Sequence, residues 1–259
     1  MKIIHITDLH LPQPGEKLWG LDPYARFESA LVDIETLHSD AWLCVISGDL
    51  TDRAVPQAYD WLANRLARFP FETVLMLGNH DDRATAVCVL PGLPVDQNGF
   101  VQTTIDLPVG RLLFLDTFKG GTSAGQYCTA RQEWLRTQLA EAADRPVWIF
   151  MHHPPFDVGI AYMDRIKLEE GDVFGDIVEG SSVQHIFFGH IHRTCFVHWR
   201  GISCSSLPSL AHQVPLDRPA LGTSYSIEPP MYGVINLSED GMIVHVDAWA
   251  DRAPAEMDW

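Results

Sequence analysis

Short apolar runs recur along the chain, several of them β-branched, with polar or helix-patterned stretches between them. Six of these runs have the length and continuity of buried strands: Ile3 to Thr7, Trp42 to Ser47, Thr73 to Leu77, Arg111 to Leu115, Val147 to Met151 and His185 to Phe188. Three intervening segments repeat apolar residues at helical spacing. Tyr24 to Leu37 places Phe27, Leu31, Ile34 and Leu37 on one face, and Gln57 to Phe69 does the same with Trp61, Leu62, Leu66 and Phe69. Thr129 to Ala142 opens on a threonine cap, has Glu133 in its first turns and carries Trp134, Leu135 and Leu139. Strands alternating with helices predict an α/β architecture.

From Thr194 onward the pattern changes. Strand-like pieces remain, Cys195 to Trp199, Tyr232 to Leu237 and Met242 to Trp249, but helix signals are weak and loops rich in Pro and Gly intervene. This quarter is read as sheet completion plus a long loop, 207–230, lying over a site on its substrate side. The whole chain, 1–259, is read as one domain, with a polar tail from Ala250 to Trp259 on the surface.

Composition narrows the function classes. An apolar fraction of 46% against 20% charged residues is that of a folded globular protein, not a disordered chain. No apolar run approaches the roughly 18 residues of a membrane span, and the opening Met-Lys-Ile-Ile-His-Ile-Thr-Asp turns polar too early for a signal peptide. The expectation is a cytoplasmic protein without membrane association. A net charge of −16 repels a phosphate backbone at long range, which argues against a polynucleotide partner. The five cysteines form no C-x-x-C pair and predict reduced thiols rather than a disulfide scaffold or a thiolate zinc site.

The 12 histidines carry the chemical signal. Five apolar runs end in polar tips: Asp8-Leu9-His10, Gly48-Asp49 with Asp52, Gly78-Asn79-His80-Asp81, His152-His153-Pro154-Pro155, and Gly189-His190-Ile191-His192. The carboxyl ends of strands in an open α/β sheet share one crevice, so these tips can converge. They supply carboxylates, imidazoles and an amide, a donor set suited to Mn, Fe, Co or Zn. Asp-x-His spacing at a strand end puts both side chains on one side of the pleat. Asp49 has two oxygens and can bridge two cations, and Gly48, Gly78 and Gly189 allow the close backbone approach a crowded site needs. Each block alone has an ordinary reading as a turn or cap; their conjunction, each after a strand, is the specific signal. His5 reads as a packed strand residue, and His38, His185, His198 and His245 as surface or sheet positions.

At these residues the chain resembles the calcineurin-like metallophosphoesterases, whose blocks D-x-H, G-D, G-N-H, H and G-H-x-H are all intact. It is most similar to the bacterial class III cyclic-nucleotide phosphodiesterase and glycerophosphodiesterase branch. That likeness extends through Gly15-Glu16-Lys17-Leu18-Trp19-Gly20, Gly121-Thr122-Ser123 and Ala211-His212-Gln213-Val214-Pro215. The resemblance implies a two-sheet α/β sandwich flanked by helices, with a C-terminal loop or cap over the site. It implies two divalent metal ions, one held by Asp8, His10 and His192, the other by Asn79, His152 and His190, with Asp49 bridging. His80 would lie beside the metals as the catalytic and substrate-binding residue, His212 would reach the substrate from the long loop, and His153 would stand behind the ligands.

The implied reaction is hydrolysis of a small phosphodiester, a cyclic nucleotide or a glycerophosphodiester, by water activated between two cations. No G-x-S-x-G or P-loop offers another nucleophile. The alternatives are a phosphomonoesterase, a protein phosphatase, or a non-catalytic scaffold of the same fold; the last should have broken ligand positions. A homo-oligomer is compatible with the sequence.

Overall fold

The structure, a computed structural model, describes residues 1–216 and 225–251. Residues 217–224 of the expected 207–230 loop, and the tail from 252 onward, lie outside the described residues. The strands form two sheets. One has five strands in the order β11 (Gly241–Asp247), β10 (Tyr232–Ser238), β1 (Lys2–Ile6), β2 (Leu43–Ile46) and β3 (Glu72–Leu75). The other has six: β4 (Thr103–Leu107), β5 (Gly110–Phe114), β6 (Val147–Met151), β7 (Val183–Phe188), β9 (Ile202–Ser206) and β8 (Cys195–Trp199). β1, β2 and β3 are parallel, and so are β5, β6, β7 and β9. Each sheet therefore delivers its central carboxyl ends to one edge.

Alternation along the strands builds the sandwich. Ile3, Leu43, Val45 and Val74 of the first sheet pack with Leu112, Phe114, Phe150 and Phe187 of the second. Phe114, Phe150 and Phe187 stack there, with ring centroids 5.3 and 4.6 Å apart. The alternate residues face outward. Ile4, Ile6, Cys44 and Ile46 meet Phe27, Leu31 and Ile34 of helix α1 (Pro23–Leu37) and Tyr59 and Leu62 of α2 (Pro56–Leu66). Leu113, Ile149, Ile186 and Phe188 meet Leu135 of α4 (Thr129–Ala142) and Phe174 of α6 (Gly171–Val178). Asp22 caps α1 by accepting from the Ala25 amide at 3.1 Å, and Pro23 opens the helix. Among the described residues no helix is long and apolar enough to cross a membrane.

The six strand readings and three helix readings all correspond to observed elements, with ends shifted by at most three residues. The expected 57–69 helix stops at Leu66, yet Phe69 still packs into the core. His5 is packed as expected: its ring lies edge-on to Phe150 and Phe187, Nε2 is bonded to Ser47 Oγ at 2.8 Å, and burial pulls its pKa down to about 3. Helices α3 (Arg83–Val89), α5 (Ala161–Asp164) and α6 and strands β4 and β9 carry no clear signal in the sequence. β9, Ile-Ser-Cys-Ser-Ser, is too polar to read as buried, and its serines have a specific purpose. Ser203 and Ser205 bond the two nitrogens of buried His185, at 2.7 and 2.8 Å.

A buried ion network ties α3, β5 and α4 together. Asp116 takes the Arg83 guanidinium at two points, 2.8 and 2.9 Å, and lies 3.4 Å from Arg131 Nη1. It also accepts the Val101 and Phe118 amides. Arg131 is 2% exposed, so it cannot recover its hydration if its partner is removed. Asp116→Ala should therefore cost about 3–5 kcal/mol of stability, the penalty for a stranded buried charge. Urea unfolding checks this: the midpoint should fall with the slope unchanged.

Candidate metal centre

All five polar tips converge where the two sheets' carboxyl ends meet. The means differ from the expected pleat. β1 ends at Ile6, so Asp8 and His10 are no longer on a strand. Both take left-handed backbone, with φ 57° and 44°. The same holds for Asp49 (48°), His190 (69°) and His192 (52°). Such backbone costs on the order of 1–3 kcal/mol per non-glycine residue and persists where the surroundings over-determine it. Spacing of two thus brings Asp and His together through successive left-handed turns, which correct the pleat argument while preserving its outcome. Glycine is required by space at Gly78, where a Cβ would collide with the Asp49 carboxylate and lie 2.6 Å from His152 Nε2. At Gly48 it would lie 2.5 Å from His152 Nδ1, and φ is +108° there.

One group of ligand atoms comes from Asp8, His10, Asp49 and His192, all buried and within 4.8 Å of one another. His10 Nε2 and His192 Nε2 are 3.0 Å apart, and Asp8 Oδ1 is 3.2 Å from the latter. His192 Nδ1 donates to the His212 carbonyl at 2.8 Å, which leaves a lone pair on Nε2 facing the Asp8 carboxylate. Nε2 and the Asp8 carboxylate are placed to share a cation or, without one, a proton. Asp8 is itself held by Thr7 Oγ1 at 2.7 Å and by the His190 amide at 3.2 Å.

A second group surrounds His152. Its Nδ1 donates to the Ser47 carbonyl at 2.9 Å, so Nε2 points toward Asp49 Oδ2 at 3.4 Å, in ion-pair but not hydrogen-bond geometry. His190 Nε2 and Asn79 Oδ1 are likewise buried without a partner. Such orphaned acceptors are rare in a folded protein unless something binds them. Asp49 stands between the groups: Oδ2 is 3.5 Å from His10 Nε2 and 3.4 Å from His152 Nε2, while Oδ1 accepts the His80 amide at 2.8 Å. Nitrogen, carboxylate and amide donors with unshared lone pairs directed inward fit divalent cations. His153 has Nδ1 bonded to Thr117 Oγ1 and brings its unpartnered Nε2 side close to His152 and His190.

The titrations have the same cause. Burial pushes the Asp8 and Asp49 carboxyls up, but the histidines around them hold both below the usual range. Burial also opposes charge on His152, yet Asp49 and Asp8 lift it to about 9. His190, buried and facing His152, falls to about 3. Without a cation, the two carboxylates draw a proton onto the imidazole that lies between them.

Asp81 fixes the loops that carry Asp49 and Asn79. It is buried and accepts the Gly78 amide at 2.9 Å, the Leu50 and Thr51 amides at 3.1 and 3.2 Å, and the Tyr59 hydroxyl at 2.8 Å. The sequence showed it only as the last residue of a block. His80 lines the cleft above the histidines and is 39% exposed at its side chain. Its Nδ1 donates to the Asp52 carbonyl at 2.8 Å, leaving Nε2 for the cleft. His212 also lines the cleft and is 2% exposed, its ring 4.9 Å from His10 and 4.6 Å from His192. Its carbonyl contact to His192 is a feature no sequence motif announces.

The sequence model of the calcineurin-like phosphoesterase family matches residues 1–194. A probable cyclic nucleotide phosphodiesterase of Rhodopseudomonas palustris is 38% identical, across 95% of this chain and 91% of that protein. A glycerophosphodiester phosphodiesterase of Enterobacter lignolyticus is 32% identical, across 89% and 84%. Among solved structures, a dimetal phosphatase of Danio rerio superposes with a TM-score of 0.74 at 14% identity, covering 95% of each chain. This last likeness bears on fold and agrees with the expected α/β sandwich.

Proposed function

The chain belongs to the calcineurin-like phosphoesterase family, and from that membership and its site we propose that it hydrolyses small phosphodiesters at a centre for two divalent cations. The observation that carries this reading is the buried Asp8 and Asp49 pair faced by imidazole nitrogens whose other nitrogens donate to backbone carbonyls. Asp8, His10 and His192 would hold one ion, Asn79, His152 and His190 the other, and Asp49 both. Bound cations of this kind supply a water-derived nucleophile at neutral pH and neutralise charge on phosphoryl oxygens. The donors suit Mn, Fe, Co or Zn.

Around that centre the chain's own residues position the substrate. His80 offers Nε2 to a phosphoryl oxygen or to the departing oxygen, and the Asp52 carbonyl holds its tautomer. His212 is the candidate donor to the esterified side of a diester. The chain is taken as one catalytic unit, with residues on both sides of the undescribed 217–224 stretch bordering the cleft. The five cysteines, all unpaired, support a reducing, cytoplasmic setting.

The test is hydrolysis of bis(p-nitrophenyl) phosphate and p-nitrophenyl phosphate at one pH and metal loading, with metal analysis of the same sample. The expected result is bound metal, activity lost on chelation, and a higher kcat/KM for the diester. Full activity after chelation would overturn the metal centre, and a monoester preference would overturn the diester assignment.

A further inference from the structure

Leu18 and Leu21 exchange backbone hydrogen bonds of 3.0 and 2.8 Å, so Leu18-Trp19-Gly20-Leu21 is a closed turn. Its two central residues both take left-handed backbone, Trp19 at φ 47° and Gly20 at φ 85°, which makes it a type I′ turn. Gly20 suits its place. The first central position favours Asn, Asp or Gly, and a bulky residue there is an outlier. The indole is also 54% exposed, so burial of its own surface does not offset the strain. A residue that breaks the local rule in this way points to a contact made elsewhere.

That contact is with His212. The Trp19 ring meets the His212 imidazole edge-on, with centroids 4.4 Å apart. Tyr225 meets the same imidazole edge-on at 4.5 Å and leans on Trp19 at 4.1 Å, with planes 30° apart. On its inner side the imidazole packs on His10 and His192. His212 is therefore buried, although Trp19 and Tyr225 are each about half in solvent. Gln213 secures the adjoining main chain. Its amide and carbonyl pair with Ser226 at 2.9 Å each, and its side chain closes on Ser209 at 3.0 and 2.7 Å. The peptide between these two anchors carries the carbonyl that accepts His192 Nδ1 at 2.8 Å.

We propose that Trp19 is a positioning residue for the metal centre: from its strained turn it clamps the His212 imidazole together with Tyr225, and so holds the carbonyl that orients His192. If His212 tips, His192 Nδ1 loses its acceptor and Nε2 loses its fixed direction. The role rests on the metal-centre reading of Asp8, His10 and His192, and needs no contact between Trp19 and substrate. It also gives a purpose to the Gly15–Gly20 segment, which the reaction itself does not use.

Trp19→Asn separates this role from a structural one, because asparagine is what a type I′ turn prefers at that position. The metal-free variant should melt no lower than metal-free wild type, yet two local readouts should change. In the metal-free protein, diethyl pyrocarbonate should modify His212 about tenfold faster than in wild type, read by peptide mass spectrometry, because the ring that covers it is gone. In Mn(II) titrations followed by electron paramagnetic resonance, the dissociation constant of one ion should rise about tenfold, as for loss of a group that orients a ligand, while that of the other is unchanged. Trp19→Phe keeps a ring against His212 and should restore both readouts, and Tyr225→Ala should weaken the same ion. Unchanged His212 reactivity in Trp19→Asn would overturn the clamp, and unchanged Mn(II) affinity would overturn its hold on His192. Equal weakening of both ions with a lower melting temperature would make Trp19 a structural residue. If wild type bound no Mn(II), the metal-centre reading would fall instead, and the reactivity of His212 would still decide the clamp.

Discussion

Asp49→Ala should lower metal content from two ions per chain to fewer than one and reduce kcat/KM on bis(p-nitrophenyl) phosphate by more than about 10³-fold. That magnitude corresponds to losing several kcal/mol of charge stabilisation at the phosphoryl group. Asp49 is the residue whose single oxygen approaches both histidine groups, at 3.5 and 3.4 Å. Its other oxygen accepts the His80 amide, so the substitution also loosens the loop that carries His80.

Loss of fold would give the same loss of activity, and stability separates the two. In the metal-free protein burial pushes the Asp49 carboxyl up, but His152 and His10 beside it hold it below the usual range, so its charge contributes to folding at neutral pH. The metal-free variant should therefore melt somewhat below metal-free wild type, yet still through one cooperative transition that marks a folded chain. Wild type should gain thermal stability when Mn(II) is added, because the ion binds the folded state, and the variant should lose most of that gain. A variant that kept two ions per chain with wild-type stabilisation would remove Asp49 from the centre.

The convergence of the candidate ligands was legible in the sequence because each follows a parallel strand, and topology alone sends those strand ends to one edge. Placing Asp8, Asp49, Asn79, His152 and His190 together needed no more than a correct strand reading, while their proposed roles came from the family resemblance. The backbone that aims them was not legible. Left-handed φ at Asp8, His10, Asp49, His190 and His192 follows from crowding among segments far apart in the chain, as the collision of any Cβ at Gly78 with Asp49 shows. The supporting bonds were hidden for a related reason. The His212 carbonyl that orients His192 is a backbone atom, and residue type does not report it. Asp81 looked like the end of a motif, yet it joins amides from two loops whose sequence separation is about thirty residues. β9 escaped detection because four of its five residues are serine or cysteine, and two of the serines bond His185 of β7, so polarity there marks specific bonding and not solvent exposure.

His80→Ala should separate catalysis from metal binding, retaining both ions while lowering kcat by about 10²–10⁴-fold, the range for loss of a positioned proton donor. The geometry sets His80 apart from the neighbouring histidines. His10, His152, His190 and His192 are all buried to within a few per cent, whereas the His80 side chain is 39% exposed at the cleft. Its Nδ1 donates to the Asp52 carbonyl, which fixes the ring and leaves Nε2 toward arriving substrate. Its link to Asp49 is through the main-chain amide, which alanine preserves. The loss should fall mainly on kcat, because a bond to the departing oxygen strengthens as charge develops there. A substrate whose leaving group needs no proton, such as p-nitrophenolate, should suffer less than one that leaves as an alkoxide. Equal losses on both would assign His80 to phosphate binding rather than proton donation. A fall in metal content matching that of Asn79→Ala would make it a ligand, and an unchanged rate on both substrates would remove it from the chemistry.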